Sequence, residues 1–431
     1  MPNILDLVSN DFTDFTNRKF NAVDSLVFCE LAYICMPDSI PKYDDDSDNL
    51  NTVPLCDLLR AEDFSSMFSS GSAKVDDFRK SLLLAVAASP RYRGIRVGEV
   101  LERFDESNID DSCEQQFAAV TFDLTDCVGY RCFVVAFRGT DNTLVGWKED
   151  FNMAFRCPVP AQESAAEYLL SIARRVHKNY CNNSVKNNIF HRIFGYFANL
   201  FGKKSEQSDM LQSDISQADT LQNDIVNQNN DSNIFVVGHS KGGNMAAYAA
   251  MRLDAENQQL GDLVSKIYSM DGPSFGSDVV DPKVFSRVVS RIEKVVPQSA
   301  FIGLIMDTGV PYKVTVAESI GLMQHFGMYW QVKDGDFDYC DHVTPRALAV
   351  SKAANDWMLN LSFEERKRRI DGVYNALTSL GYPTFDEISA HWSELLPKIL
   401  SIATHMDSKT YELIRNIMSA FTGVGGSEHK N

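Results

Sequence analysis

The chain has 431 residues, 44% hydrophobic, 23% charged and 11% aromatic, the balance of a folded globular protein rather than of a chain disordered throughout. Asp plus Glu number 58 against 41 Lys plus Arg, a net charge of −17, so the overall field repels nucleic acid and anionic membrane, and contact with either needs a local basic patch. The nine cysteines are odd in number, scattered and without a C-x-x-C pair, which points to reduced thiols rather than a disulfide framework or zinc site.

The opening MPNILDLVSNDF has no basic n-region or long apolar run, and no stretch of 18 apolar residues follows. A cytoplasmic setting is therefore the expectation. Length is compatible with two or three domains or with one α/β domain carrying insertions. Residues 20 to 36 place Val23, Leu26, Val27, Leu31 and Ala32 near helical spacing and predict a buried amphipathic helix. The acidic, turn-rich stretch 37 to 53 predicts a solvated loop, and SLLLAVAA at 81 to 88 a return to helix. FAAVTFDL (117 to 124) and RCFVVAFRG (131 to 139) are short β-branched and aromatic runs around Asp126 and Gly129, the pattern of paired strands. A helix is expected at about 162 to 180.

Residues 205 to 233 are mostly Ser, Gln, Asn and Asp, with a near-duplication of ten residues. That composition offers too little apolar surface to offset the entropy of ordering and predicts a solvated insertion. Strand NIFVV, helix KGGNMAAYAAMRL, strand SKIYSM, a helix around 282 to 291, and the strand candidates IEKVV, FIGLI and YKVTV come next. Alternating strands and helices predict an α/β fold with a mostly parallel sheet flanked by helices. From 346 onward the pattern is helical, including segments near 385 to 404 and 408 to 421. The expected organisation is an α/β domain over 1–345, helical at its start (1–110) and interrupted at 181–233, then a helical region over 346–431.

Gly238-His239-Ser240-Lys241-Gly242 is a G-x-S-x-G directly after one strand and directly before a helix. A nucleophile elbow needs this context, because the serine must ride a sharp turn and the glycines let the helix lie close to the strand. A second copy, Gly272-Pro273-Ser274-Phe275-Gly276, follows a strand but runs into SDVVDPK and reads as a turn. A serine at its ordinary acidity is a poor nucleophile, so acyl transfer also requires a base, an acid that orients it, and donors for the oxyanion. Thr140, at the strand end Phe137-Arg138-Gly139-Thr140-Asp141, and the N–H of Lys241 are the oxyanion candidates. Asp271 closes the strand SKIYSM, where loops at the carboxyl ends of parallel strands gather ligands; Asp307, after FIGLIM, is its rival. Of eight histidines, five lie on helical or tail segments and His239 is fixed beside the serine and expected to point elsewhere, which leaves His325 as first choice for the base and His342 as second. The order Ser, Asp, His fits this fold class.

VVAFRGTD followed about a hundred residues later by VVGHSKGGNMA resembles the lipase class 3 type of α/β-hydrolase. Together with FNAVDSLVFCELAY, YSMDGPSFG, VVPQSAFIG and LMQHFGMYWQV, it resembles the largely uncharacterised Mbeg-like family of lipase-related α/β-hydrolases over most of residues 15 to 380. The resemblance implies an α/β-hydrolase fold, with Ser240 as nucleophile, His325 as base and an oxyanion hole at Thr140 and Lys241. Class 3 lipases usually carry the acid before an Ile-Val-Pro. Here Lys294 precedes Val295-Val296-Pro297, and Asp271 stands in for it, as in the pancreatic type.

Residues 186 to 204 carry four Lys or Arg and no acid, with Ile189, Phe190, Ile193, Phe194, Phe197, Leu200 and Phe201 on one helical face. Such a helix is either a lid or lipid-surface contact or a core-packing helix. The expected function is a serine hydrolase of carboxylic esters, lipase-like, taking a small-molecule or lipid ester, with no metal or organic cofactor and no nucleic acid. The competing expectation is an inactive scaffold that holds a partner. Phosphate binding is excluded at this motif, because GHSKGG lacks the G-x-x-x-x-G-K-[ST] spacing.

Overall fold

A nine-stranded sheet organises the chain in a computed structural model that describes residues 2–105, 115–140, most of 149–178, 233–275, most of 281–382 and scattered positions from 391 to 411. The segment 186–204, the polar insertion up to residue 232, Asp307 and most of 385–404 and 408–421 lie outside the described residues. In chain order the strands are β1 (Thr52–Pro54), β2 (Arg96–Asp105), β3 (Gln115–Asp123), β4 (Cys132–Phe137), β5 (Asn233–His239), β6 (Val264–Met270), β7 (Ile292–Pro297), β8 (Tyr312–Thr315), β9 (Val332–Lys333), β10 (Asp336–Phe337) and β11 (Tyr339–Cys340). The sheet runs β1-β2-β3-β4-β5-β6-β7-β8-β11, and β9 pairs with β10 in a separate hairpin. β4 through β8 are mutually parallel, whereas β1, β2 and β3 at one side and β11 at the other are antiparallel. The expected mixed α/β architecture is present, but the parallel part is confined to the centre.

Alternation along the central strands divides the core in two. Phe133, Val135 and Phe137 of β4 with Ile234 and Val236 of β5 face helix 160–178 and helix Lys241–Glu256. Cys132, Val134 and Ala136 with Phe235 and Val237 face the other way, onto helix α1 (Ile4–Asn10), helix α2 (Ala22–Ala32) and helix Ala73–Ala88. Because strand order never reverses from β4 to β7, successive crossovers of one hand put their helices on one face and leave the other to the N-terminal helices.

Helix α2 starts at a capping box in which Asn21 and Asp24 satisfy each other's backbone N–H. It is buried on every side rather than amphipathic, since the sheet covers one flank and α1, helix Ala73–Ala88 and β10 cover others. Its two acids are paired, Asp24 with Arg91 at 2.7 Å and Glu30 with Arg79 at 3.0 Å. The 1–110 span thus holds strands as well as helices. FIGLI is a 3-10 turn at Ile302–Leu304, not a strand. Among the described residues no helix is long and apolar enough to cross a membrane.

Candidate functional site

Parallel pairing sets Phe137 beside Gly238 and His239 beside Met270, so the residues that follow β4, β5 and β6 emerge at one edge. That edge is where open parallel sheets assemble sites. Ser240 occupies φ +59° and ψ −131° between β5 and the helix Lys241–Glu256, a region populated almost only by glycine. Its N–H donates to Met270 O at 2.9 Å and its carbonyl accepts from Gly243 N at 2.9 Å, which locks the turn from both sides. The flanking glycines are required by contact. A Cβ on Gly238 would lie 2.1 Å from the Gly242 carbonyl, and one on Gly242 would lie 2.2 Å from the Phe137 carbonyl oxygen.

Asp271 also has a positive φ, +45°, and is 1% exposed. Its Oδ2 lies 2.6 Å from His325 Nδ1, and its Oδ1 accepts from the Gly303 N–H at 3.0 Å. The 3-10 turn Gly321–His325 carries the histidine, leaving Nε2 as the nitrogen available to a serine. Ser240 and His325 line one cavity of about 300 Å3. No hydrogen bond joins Ser240 Oγ to His325; such contacts commonly tighten only when substrate arrives. The cavity is apolar at Met67, Phe68, Val75, Phe104 and Phe326, and carries the paired charges Glu30–Arg79 and Glu102–Arg138.

Thr140 lines the same cavity, but its hydroxyl donates to Asp150 Oδ2 at 2.5 Å, so that proton is already committed and only a backbone donor remains for an oxyanion. The Lys241 backbone begins the elbow helix, whose positive end faces the serine. Its side chain turns away and is 1% exposed, with Nζ 2.9 Å from Gln116 O, 3.0 Å from Glu149 and 3.7 Å from Asp150. Burial pushes the Asp150 carboxyl up to about 6, with the Lys241 ammonium opposing the shift.

Of the rival candidates, His342 and Ser274 do not line this cavity. His342 follows β11 and lines a separate cavity with Tyr312 and Cys340. Ser274 is buried, and its Oγ accepts from Lys294 Nζ at 2.9 Å. Lys294, the residue before Val295-Val296-Pro297, therefore serves the loop after Asp271. Sequence reasoning missed Tyr33, Glu149 and Asp150. Tyr33 meets His239 Nδ1 at 3.0 Å, and nothing in its helical context marks it; His239 itself, expected to point elsewhere, lines the cavity and meets the His325 carbonyl. Among the described residues no group of three His, Cys, Asp or Glu side chains is placed to hold a metal ion.

A model of the Mbeg1-like family matches residues 86–184 and 206–375. No curated protein matches the chain.

Proposed function

We propose that this chain, which belongs to the Mbeg1-like family, is a serine hydrolase that cleaves carboxylic esters through an acyl-enzyme, on a fold of the α/β-hydrolase kind related to class 3 lipases. The observation that carries the reading is the 2.6 Å bond between Asp271 and His325 Nδ1 at a cavity that a serine on a strained strand-to-helix turn also lines. A structural serine has no need of either feature. In the reaction Ser240 Oγ attacks the ester carbonyl carbon while His325 Nε2 takes its proton. The imidazolium, steadied by Asp271, then returns that proton to the departing alkoxide. Water repeats the sequence on the acyl-enzyme, releasing the acid and restoring the serine. Backbone N–H groups of Thr140 and Lys241 stabilise the oxyanion in both halves. No metal or organic cofactor enters these steps.

The apolar wall of the cavity favours an acyl ester, lipid or small-molecule, and segment 186–204 is the proposed lipid-surface contact. The net charge of −17 disfavours nucleic acid as a partner. Seven described cysteines are free thiols, which supports a cytoplasmic setting. The competing reading, an inert scaffold, draws on the missing Ser240–His325 hydrogen bond. Labelling with a fluorophosphonate probe, mapped by peptide mass spectrometry, separates the two. The hydrolase gives an adduct on Ser240 that Ser240→Ala and His325→Ala abolish and Ser274→Ala leaves intact. Folded wild-type protein that takes no label, with or without detergent, means the scaffold.

A further inference from the structure

We infer that His239 is a positioning residue: held by the Tyr33 hydroxyl at one ring nitrogen, it grips the backbone carbonyl of His325 with the other and thereby fixes the base relative to Ser240. The inference rests on the reading of Ser240, His325 and Asp271 as a triad.

His239 Nε2 lies 2.7 Å from His325 O, and Nδ1 lies 3.0 Å from the Tyr33 hydroxyl. A carbonyl can only accept, so Nε2 carries a proton. Burial, reinforced by the neighbouring His325, holds the His239 imidazole well below its ordinary range and therefore neutral, so Nδ1 is bare. The Tyr33 hydroxyl, kept protonated by burial, must then be the donor. Both bonds run one way, from Tyr33 through the imidazole to the peptide of the base, and one tautomer is dictated.

The need for this grip follows from the turn that carries the base. His325 ends a 3-10 helix, where carbonyls lack partners within the helix. Trp330 Nε1 donates to Gln324 O at 2.7 Å, and His239 takes the next carbonyl. Two consecutive peptide planes are thus clamped, while Asp271 holds the ring between them and the cavity. His239 also immediately precedes Ser240, so the residue next to the nucleophile grips the backbone of the base across 86 positions of sequence. The anchor behind it is firm. The Arg79 guanidinium lies 4.2 Å from the Tyr33 ring centroid and bonds Glu30 at 3.0 Å. A Cβ on Gly139 would lie 2.2 Å from the Tyr33 hydroxyl, so the strand end next to Thr140 packs on the same oxygen.

Asparagine superposes its amide on Nδ1 of a histidine, and glutamine on Nε2. Because the grip uses Nε2, glutamine should rescue and asparagine should not, an order that mere filling of space does not produce. The experiment measures the maximal inactivation rate and the half-saturating concentration of a fluorophosphonate ester on the full chain, for wild type, His239→Asn, His239→Gln and Tyr33→Phe, each checked for folding by circular dichroism. His239→Asn is expected to lower the maximal rate about 10–100-fold, the loss typical of a catalytic group displaced by an ångström or so. His239→Gln should recover most of it, and Tyr33→Phe, which keeps ring and packing, should lose about 3–10-fold by freeing the imidazole to turn. If His239→Asn does not fold, Tyr33→Phe and His239→Gln decide alone. Labelled wild type with Asn and Phe variants within about twofold of it overturns the positioning role and leaves the triad standing. Unlabelled wild type overturns the triad, and this role with it.

Discussion

Replacing Asp271 by asparagine tests the site at the point where its geometry is most restrictive. Asp271 uses both carboxylate oxygens, Oδ1 for the Gly303 N–H and Oδ2 for His325 Nδ1. Asparagine has one oxygen. The Gly303 N–H is buried with it and cannot turn, so the asparagine oxygen goes to Gly303 and its NH2 faces the imidazole. His325 must then present a bare Nδ1 and carry its proton on Nε2, which removes the lone pair that the proposed mechanism needs to take the Ser240 proton. A wrong-tautomer base of this kind lowers turnover about 10^4-fold, equivalent to about 5 kcal/mol of transition-state stabilisation. The loss should fall on the maximal rate of probe inactivation and of ester cleavage, with half-saturation unchanged, since Asp271 does not line the cavity. Asp271→Ala should be no worse than Asp271→Asn, because without the forced amide the imidazole can still adopt the productive tautomer part of the time. Retention by Asp271→Asn of more than about a tenth of wild-type rate, or a clear advantage of Asn over Ala, would refute the reasoning.

Three further outcomes follow from backbone and burial. Ser240→Gly should be more stable than Ser240→Ala by roughly 1 kcal/mol in urea unfolding, because release of the φ +59°, ψ −131° turn outweighs the extra chain entropy and lost methyl burial; the ordinary order, alanine above glycine, would show that the elbow is unstrained. Gly242→Ala drives a Cβ to 2.2 Å from the Phe137 carbonyl oxygen and should destabilise by at least about 3 kcal/mol, whereas Gly129→Ala, open in space but at φ +79°, should cost about 1 kcal/mol. Asp150 is raised by burial from 3.8 to about 6, so between these values the folded state binds a proton that the unfolded state does not. Its contribution to stability therefore declines as pH rises through that window, and wild type should lose stability relative to Asp150→Asn across it; a difference flat with pH excludes the assignment.

The centre of the sheet was legible because parallel strands buried on both faces read as apolar runs, and β4, β5 and β6 are such runs. β2 was not. Its sequence RVGEVLERFD breaks alternation at Glu99, which takes φ +54° and buries its carboxylate against Arg175 at 2.8 Å, with the register shifting between Gly98 and Leu101. The two-residue strands β9 to β11 are too short to carry any period. FIGLI misled for the opposite reason: its apolar residues cover a turn whose Gly303 must approach Asp271 closely, a Cβ there falling 2.2 Å from the carboxylate. A hydrophobic run reports burial and says nothing of whether the backbone is extended.

The site divides along the same line. The strand-to-helix turn at Ser240 was legible because such a turn is a local device, written within five consecutive residues. Asp271 and His325 could be ranked only by chain order, since 54 positions separate them and no local pattern encodes their contact. The residues behind them were invisible. Tyr33 lies on the N-terminal side of the sheet and Asp150 ten residues beyond Thr140, yet each touches the Ser240 turn or its neighbour. Buried polar groups must find partners wherever the fold supplies them, so the supporting shell of a site is assembled by topology. The glycines at 139, 238, 242 and 303 are the trace this leaves in the sequence, each standing where a side chain or backbone from another element comes closer than a Cβ permits.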